Sequence, residues 1–541
     1  MMSLMQDFPL TLQMVMRHAQ EQFPEREVVS LLEDGSVHRA TYAECFARAG
    51  RLANVLGELG VQRGDRIATL AWNHYRHFEL YYGISCSGAV CHTLNPRLFS
   101  DQIEYIVNDA SDSWIFTDPD FLPVIEPIID KLPSVKGVVV LADENYAYQG
   151  TLAAVKNYEQ LLAAASEAYD WPTLDEKQAC SLCYTSGTTG NPKGVLYSHR
   201  ALTIHSFAAA MPDNFCLSAF DCVMPIVPMF HANCWSMPYS CPAVGAKLVL
   251  PGSRLADGER LAKLMQDEAV TFSLGVPTVW LSMVNYMNEA DITVPSLKRV
   301  GVGGTAPPVS LIQGLEKRGV ELQQVWGMTE MSPLGVVNRP KPGLVFEGEE
   351  ARLAHAAKQG RTVFGVQLKI VDDDDNELPR DGVAFGALKV RGPWIIERYF
   401  GKDETALDDG GWFDTGDVAT IDPDGYMQIT DRAKDVIKSG GEWISSIDLE
   451  NMAMGHPAVA EATVIGAYHS KWDERPLLVV VKREGAEVSR EELLGFFEGK
   501  IAKWWQPDDC VFVEELPHTA TGKLDKKLVR DQFKAHRLPT D

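Results

Sequence analysis

The stretch YTSGTTGNPKG, at residues 184–194, decides how the rest of this chain is interpreted. It follows an apolar run and places one serine, three threonines and two glycines ahead of Lys193. Glycine lets the backbone approach a ligand closely, amides and hydroxyls donate hydrogen bonds to phosphate oxygens, and a lysine adds a point charge. The stretch therefore predicts a phosphate-binding loop, with a polar surface loop as the alternative.

The spacing in this loop differs from that of the phosphate loop in kinases and GTPases. That pattern, G-x-x-x-x-G-K-[ST], needs a serine or threonine directly after the lysine. Here Pro192 precedes Lys193 and Gly194 follows it. The loop therefore belongs to another class of phosphate site.

Length and charge limit the classes of function. A chain of 541 residues is too long for one hydrophobic core, so two or three domains are expected. The net charge of -24 argues against nucleic acid as a partner, because a phosphate backbone attracts a surplus of lysine and arginine. Sites for anionic substrates must then be local exceptions on an acidic surface.

Targeting signals and cysteines point to the cytoplasm. The first residues lack the pattern of a secretory signal, and no run approaches the roughly 20 apolar residues of a transmembrane segment. The ten cysteines are scattered, mostly among apolar residues, as free thiols are in a reducing compartment. Cys180 and Cys183 form a C-x-x-C without a second pair, which gives little support for a zinc site.

Strand-like apolar runs alternate with helical patterns from about Arg26 onwards. Residues 41–59 are predicted to be helical, because Thr41 suits an N-cap and apolar residues recur at helical spacing. The alternation predicts an α/β fold: a large N-terminal domain of mainly parallel sheets with helices. The clearest strand candidates are residues 65–70, 111–117, 138–141, 246–252 and 297–300.

The sequence pattern of the chain changes after Asp431. Residues 431–441, DRAKDVIKSGG, are charged and end in two glycines, as expected of a hinge between domains. The remaining residues carry their own strand and helix patterns, enough for a small α+β domain. We therefore predict two domains, residues 1–431 and a mobile C-terminal domain at residues 432–541.

The sequence YTSGTTGNPKGV is similar to the signature loop of the AMP-forming adenylating superfamily. Within it, the chain most resembles medium- and long-chain fatty acyl-CoA synthetases, including 3-methylmercaptopropionate-CoA ligases. The resemblance implies that ATP, Mg²⁺ and a carboxylic acid give an acyl-adenylate, which coenzyme A converts to acyl-CoA. It assigns ATP contacts to Thr185, also a catalytic candidate, and to Ser186, Gly187, Thr188, Thr189 and Lys193.

Two further motifs are expected to lie near the carboxylic acid substrate. In VPMFHANCW, at residues 227–235, the resemblance places His231 beside the acid and the adenylate, and Trp235 along the acyl tunnel. Plain core packing is the alternative for Trp235. In GVGGTAPP, at residues 301–308, Gly303 and Gly304 let the backbone approach the adenine and the acyl chain.

The block WGMTE, at residues 326–330, carries the implied nucleotide and metal contacts. Trp326 would stack on adenine, Thr329 would contact the α-phosphate, and Glu330 would bind Mg²⁺, since a carboxylate is a hard ligand. Gly327 and Met328 belong to the same nucleotide-binding block. Met331, directly after it, is expected to contact the acid.

The C-terminal motifs complete the implied site. Asp417 would accept the ribose hydroxyls, Arg432 would contact ribose and phosphate, and Lys434 marks the position about which the C-terminal domain rotates. Lys523, in PHTATGK, is the implied adenylation lysine. The loop with Lys438, Gly440 and Gly441 would serve the thioester step, and Lys526, Lys527 and Arg530 would bind CoA phosphates or face water.

The sequence leaves several alternatives open. A catalytically inactive nucleotide-binding regulator is the rival from another class, and loading of a carrier protein or luciferase-like oxidation is the rival within adenylating enzymes. The acid is expected to be short- or medium-chain, with 3-methylmercaptopropionate as the alternative. A homodimer is a further expectation.

Overall fold

The computed structural model describes residues 4–153, 155–185, 191–440, 442–518 and 524–541. The chain divides into two compact units, which are described separately. The first comprises the residues up to Gln367 together with Arg391–Phe413, and the second comprises Leu368–Val390 and Asp414–Asp541. The boundary predicted at Arg432 lies within the second unit. No helix among the described residues is both long and apolar enough to cross a bilayer.

The strands of the first unit form two sheets. In chain order they are β1 Glu27–Leu31, β2 Val37–Thr41, β3 Arg66–Leu70, β4 Val90–Thr93, β5 Trp114–Thr117, β6 Val138–Val140, β7 Val155–Asn157, β8 Ala179–Tyr184, β9 Gly194–Ser198, β10 Cys222–Pro225, β11 Lys247–Leu250, β12 Phe272–Gly275, β13 Arg299–Val302, β14 Glu321–Gly327, β15 Leu334–Val337 and β16 Arg361–Thr362.

The helices of the first unit lie between these strands. They are α1 Leu12–Gln22, α2 Tyr42–Glu58, α3 Tyr75–Ser87, α4 Ser100–Ala110, α5 Leu122–Ile125, α6 Tyr158–Ala164, α7 His199–Ala210, α8 Ala232–Trp235, α9 Met237–Val244, α10 Gly258–Asp267, α11 Pro277–Glu289, α12 Val309–Glu316 and α13 Glu349–Ala356.

Both sheets are mainly parallel, as predicted. One has the order β7-β6-β5-β3-β4-β8-β9, in which only the β8–β9 pair is antiparallel. The other has the order β16-β15-β14-β13-β12-β10-β11-β1-β2, with antiparallel pairs only at its two ends. Because parallel strands end at the same edge of a sheet, the segments after β10, β13 and β14 lie along one edge.

Local sequence explains the helix predicted at residues 41–59. The Thr41 hydroxyl accepts a hydrogen bond from the backbone N–H of Glu44 at 3.2 Å, and the Glu44 carboxylate accepts one from the Thr41 N–H at 2.7 Å. This reciprocal capping box satisfies two N–H groups that lack partners within the helix. The apolar face of α2 is buried, so pattern and packing agree.

The second unit has two sheets. The four-stranded sheet has the order β17-β18-β19-β20, and the five-stranded sheet has the order β22-β21-β24-β23, with β25 beside β24. This confirms the α+β prediction; rotation of the unit stays a prediction. Its elements are β17 Gln367–Val371, β18 Phe385–Arg391, β19 Phe413–Ile421, β20 Met427–Arg432, β21 Ile437–Ser439, β22 Glu442–Ile444, α14 Ser446–Met454, β23 Val459–His469, β24 Asp473–Lys482, α15 Arg490–Phe496, β25 Asp509–Val513 and α16 Lys526–Gln532.

Asp431 is buried where β20 ends beside the N-terminus of α14. Its carboxylate accepts hydrogen bonds from the backbone N–H groups of Ser446 and Arg432, each at 2.7 Å. Burial raises the pKa of Asp431 to about 6, although Lys526 and these hydrogen bonds oppose the rise. Burial at this position therefore costs less free energy for the neutral carboxyl than for the carboxylate.

We expect the Asp431→Asn variant to gain stability relative to the wild type as the pH rises. The folded state holds a proton that the unfolded state has lost between a pH near 3.8 and about 6, so the wild type loses stability across this window. The loss amounts to at most about 3 kcal/mol. The measurement is the difference in melting temperature between variant and wild type at pH 4 and at pH 7.5. A difference that stays constant or falls would contradict the expectation.

Candidate active site

Strands β8 and β9 form a hairpin that carries the predicted phosphate loop. Tyr184 pairs with Gly194, and the backbone N–H of Thr185 donates to the carbonyl of Lys193 at 2.9 Å. The structure thus shows both ends of the loop held together. Four of the predicted ATP contacts lie outside the described residues: Ser186, Gly187, Thr188 and Thr189.

Lys193 and Glu330 meet the same aromatic side chain. The Lys193 ammonium lies 4.7 Å from the centre of the Tyr399 ring, and the Tyr399 hydroxyl donates to Glu330 Oε1 at 2.9 Å. The N–H of Phe400 donates to the carbonyl of Gly194 at 2.8 Å, which fixes the neighbouring residue beside the start of β9. The structure therefore brings together the lysine and the carboxylate that the sequence assigned to separate motifs.

The residues after β14 make a close turn that requires glycine at position 327. A Cβ on Gly327 would lie 1.8 Å from the carbonyl oxygen of Pro333. The N–H of Met328 donates to that same oxygen at 3.0 Å. The buried Tyr197 hydroxyl donates to the carbonyl of Thr329 at 2.7 Å, which ties this turn to β9. Thr329 and Glu330 are themselves buried.

Glu330 suits the magnesium role implied by the sequence. Mg²⁺ commonly takes one or two protein carboxylates and completes its shell with waters and substrate phosphates. One Glu330 oxygen accepts from Tyr399, and a carboxylate offers about four lone-pair positions in all. Among the residues the structure describes, no group of three or more His, Cys, Asp or Glu is arranged for a metal. Glu330 therefore fits a Mg²⁺ ion whose other ligands are nucleotide phosphates and waters.

Trp326 is largely buried, with 8% of its surface exposed. A Cβ on Gly335 would lie 2.9 Å from Cζ3 of the Trp326 ring and 2.4 Å from Cε of Met331. Glycine at 335 thus allows the Trp326 and Met331 side chains to pack over the backbone of β15. Stacking of Trp326 on adenine and contact of Met331 with the acid stay predictions.

The segment around Trp235 has an unusual backbone. Residues 232–236 all have positive φ angles, between 42° and 61°. A left-handed turn costs residues other than glycine roughly 1–2 kcal/mol each. Buried Asn233 anchors the turn, because its side-chain oxygen accepts a hydrogen bond from the Ser181 hydroxyl at 2.9 Å. His231 directly precedes the turn and is partly buried.

This turn places the Trp235 indole against Gly303, at the end of β13. A Cβ at position 303 would lie 2.8 Å from Cη2 of Trp235 and 2.7 Å from Cγ2 of Val325. Gly304, with φ +93°, follows beside Val276. The structure therefore joins three predicted residues, Trp235, Gly303 and Gly304, in one place on the sheet edge.

The second unit holds the predicted ribose contacts. Asp417 and Arg432 face each other across β19 and β20, with Arg432 Nε 2.8 Å from Asp417 Oδ1. Asp417 is 2% exposed, whereas 46% of the Arg432 side chain is exposed. The pair gives a fixed carboxylate with a guanidinium that can reach solvent.

The hinge loop lies further along the second unit. Lys434 and Lys438 are exposed. Gly440 has φ +61°, its N–H donates to the carbonyl of Trp472 at 2.8 Å, and a Cβ there would lie 2.8 Å from the Trp472 ring. Gly441 and Lys523 lie outside the described residues, so their roles stay predictions.

The basic residues after Lys523 differ from what the sequence suggested. Lys526 pairs with Glu450 at 2.7 Å, and Arg530 pairs with Asp435 at 2.5 Å. In this structure both side chains serve internal ion pairs, and only Lys527 of the three is exposed. Sequence spacing gave no signal of these partners, because both are distant in sequence from the residues with which they pair.

The cysteines take no part in the site. All ten are free, and nine are buried. Burial raises the pKa of the Cys180 and Cys183 thiols, so both stay protonated at neutral pH.

Comparisons with known proteins show the family to which the chain belongs. Residues 16–400 match the family described as AMP-binding enzyme, and residues 448–523 match the AMP-binding enzyme C-terminal domain. The chain is 50% identical to a 3-methylmercaptopropionyl-CoA ligase of Ruegeria lacuscaerulensis, over 99% of both chains. It is 48% identical to a medium-chain-fatty-acid–CoA ligase of Ectopseudomonas oleovorans, over 96% of this chain and 95% of that one.

A solved structure shows the same fold. The anthranilate CoA ligase AuaEII, crystallised with anthranoyl-AMP, superposes with a TM-score of 0.86 and 24% identity, over 98% of both chains.

We expect the Gly327→Ala variant to lose both stability and ATP binding. The added Cβ overlaps the Pro333 carbonyl, and an overpacked position costs about 1–3 kcal/mol. Thermal unfolding and calorimetric ATP titration measure the two effects. Gly57→Ala is the matched control, because its Cβ in α2 meets nothing within 4 Å. Equal behaviour of the two variants would contradict the assignment of this turn.

Proposed function

The chain belongs to the AMP-binding enzyme family and is an acid–thiol ligase that forms acyl-CoA, and we propose that its substrate is a short- or medium-chain carboxylic acid. The observation that carries the residue assignments is the convergence of Lys193, Tyr399 and Glu330 in the first unit. A cation and a carboxylate held in fixed positions are what a triphosphate with its magnesium ion requires.

The first half-reaction joins two anions, so the site must cancel charge. The acid carboxylate attacks the α-phosphorus of ATP, the bond to pyrophosphate breaks, and acyl-AMP remains. Lys193 and the loop amides receive phosphate oxygens, Thr329 orients the α-phosphate, and Glu330 would hold Mg²⁺, which would neutralise phosphate charge. Lys523 contacts the carboxylate and α-phosphate in this half-reaction.

The second half-reaction needs no protein nucleophile. The sulfur of coenzyme A attacks the acyl carbonyl and AMP leaves. Asp417 and Arg432 hold the ribose, His231 lies beside the reacting carbonyl, and Lys438 faces the adenylate. Gly440 and Gly441 leave room for the narrow pantetheine arm, and the chain pivots at Lys434 between the two steps. We also propose that the protein acts in the cytoplasm and as a homodimer.

The inactive-regulator alternative is not supported. Such a protein is expected to lose motif residues, whereas Lys193, Thr329, Glu330, Asp417 and Arg432 are all present. Both relatives named above are ligases and match the chain over almost its full length.

The direct test of the overall reaction is product formation. With ATP, magnesium, coenzyme A and a suitable acid, we expect AMP, pyrophosphate and acyl-CoA in equal amounts. AMP released only when coenzyme A is present, across straight-chain acids, supports the ligase. Formation of ADP, or of no AMP with any of these acids, would contradict it.

We expect Lys523→Ala to separate the two half-reactions. Loss of a cation at the developing charge should slow acyl-AMP formation by about 100-fold or more, while thioester formation from supplied acyl-AMP changes little. Rapid-quench assays of pyrophosphate release and of acyl-CoA formation measure each step. Lys534→Ala, an exposed lysine near the C-terminus with no proposed role, is the control. An equal loss in both steps would contradict the assigned role.

The size of the acid depends on Trp235. Its indole fills the space over Gly303, where the acyl chain is proposed to enter. A large rigid ring at this place shortens the apolar slot and favours short acids. A thioether of similar length would fill the same slot, and the 50% identity to a 3-methylmercaptopropionyl-CoA ligase favours that acid as the second candidate.

We expect Trp235→Ala to shift the preference toward longer acids. Each added methylene buried in the opened space contributes about 0.8 kcal/mol, so the ratio of kcat/KM for octanoate over butyrate should rise at least about tenfold. The series runs from propionate to decanoate and includes 3-methylmercaptopropionate. Trp171→Ala, a partly buried tryptophan elsewhere, is the control. An unchanged ratio would remove Trp235 from the acyl slot.

A further inference from the structure

Tyr399 lies between two groups that the proposed reaction needs but is in none of the motifs that the sequence singled out. Its ring faces the Lys193 ammonium at 4.7 Å, and its hydroxyl donates to Glu330 Oε1 at 2.9 Å. We propose that Tyr399 is a positioning residue that holds Lys193 and Glu330 in the arrangement that receives magnesium-ATP. This inference rests on the proposed function, since it assumes that Glu330 takes the magnesium ion.

The position of Tyr399 is set by its neighbours and not by the ligand. The N–H of Phe400 donates to the Gly194 carbonyl at 2.8 Å, and the N–H of Ile396 donates to the Glu330 carbonyl at 2.8 Å. The indole N–H of buried Trp394 donates to the Leu334 carbonyl at 3.0 Å. These bonds fasten residues 394–400 to β9, to the Thr329–Met331 turn and to β15, so the ring is preorganised.

The chemistry of a phenol suits this task. A phenol hydroxyl has one proton to donate, and in Tyr399 it is donated to the Glu330 carboxylate. A donor to one carboxylate oxygen restrains rotation of the carboxylate, which orients it for a metal ligand's role. The ring face attracts the ammonium without neutralising it, so Lys193 keeps its full charge for phosphate.

Two substitutions at this position separate the contributions of the hydroxyl and the ring. Tyr399→Phe removes only the hydrogen bond to Glu330, whereas Tyr399→Leu also removes the aromatic face beneath Lys193. Calorimetric titration with ATP, without acid so that no turnover occurs, is done once with magnesium and once with EDTA. This readout reports binding directly and does not depend on activity.

We expect Tyr399→Phe to weaken ATP binding about tenfold with magnesium and to leave binding in EDTA unchanged. Tyr399→Leu should also weaken binding in EDTA, by about threefold. Thioester formation from supplied acyl-AMP should equal that of the wild type for both variants. A uniform loss in all three measurements would reduce Tyr399 to a general structural role and overturn the proposal.

The chain offers a matched control in Tyr158→Phe. The Tyr158 hydroxyl also donates to a buried carboxylate, Glu79 Oε2 at 2.7 Å, but Tyr158 lies on α6 and in none of the proposed contacts. This variant should lose stability without changing the magnesium dependence of ATP binding.

The Glu330→Gln variant distinguishes a failure of the proposed magnesium role from a failure of the Tyr399 proposal. If Glu330→Gln leaves the magnesium dependence of ATP binding intact, the metal role of Glu330 is wrong. If Glu330→Gln abolishes that dependence while Tyr399→Phe binds ATP like the wild type, only the Tyr399 proposal is wrong.

Discussion

The first unit depends on the placement of residues 394–400 between the start of β9 and the turn at Thr329–Met331. Two backbone hydrogen bonds, Phe400 to Gly194 and Ile396 to Glu330, fix this segment on both sides. Lys193 and Glu330 are separated by more than a hundred positions in sequence, and their common contact with Tyr399 exists only because of that placement. Charge needed for the nucleotide is thus organised by backbone packing before any ligand binds.

The turn at residues 232–236 has a strained backbone. Five successive residues take left-handed angles, and the Ser181–Asn233 hydrogen bond and the packing of Trp235 on Gly303 hold the turn in place. Strain of this kind persists where the surroundings over-determine a conformation, and it concentrates at functional sites. The proposed acyl contacts lie after β13, and the proposed nucleotide contacts lie after β14 and at the start of β9, which belongs to the other sheet.

The sequence predicted much of this, for identifiable reasons. Local patterns were enough for α2, where Thr41 and Glu44 cap the helix, and for the parallel sheets. The left-handed turn was missed because only Asn233 among its five residues is of a type that favours positive φ, and one asparagine does not predict five successive left-handed residues. Tyr399 and the ion pair of Lys526 with Glu450 were missed because their partners are distant in sequence and are brought near only by packing.

The central claim is that this site joins a carboxylate to the α-phosphate of ATP before any thiol is involved. Exchange of labelled pyrophosphate into ATP, with magnesium and acid but without coenzyme A, tests it most directly. Exchange should require the acid and should disappear in the Glu330→Gln variant. Exchange that proceeds without acid, or no exchange with any acid of the series, would contradict it.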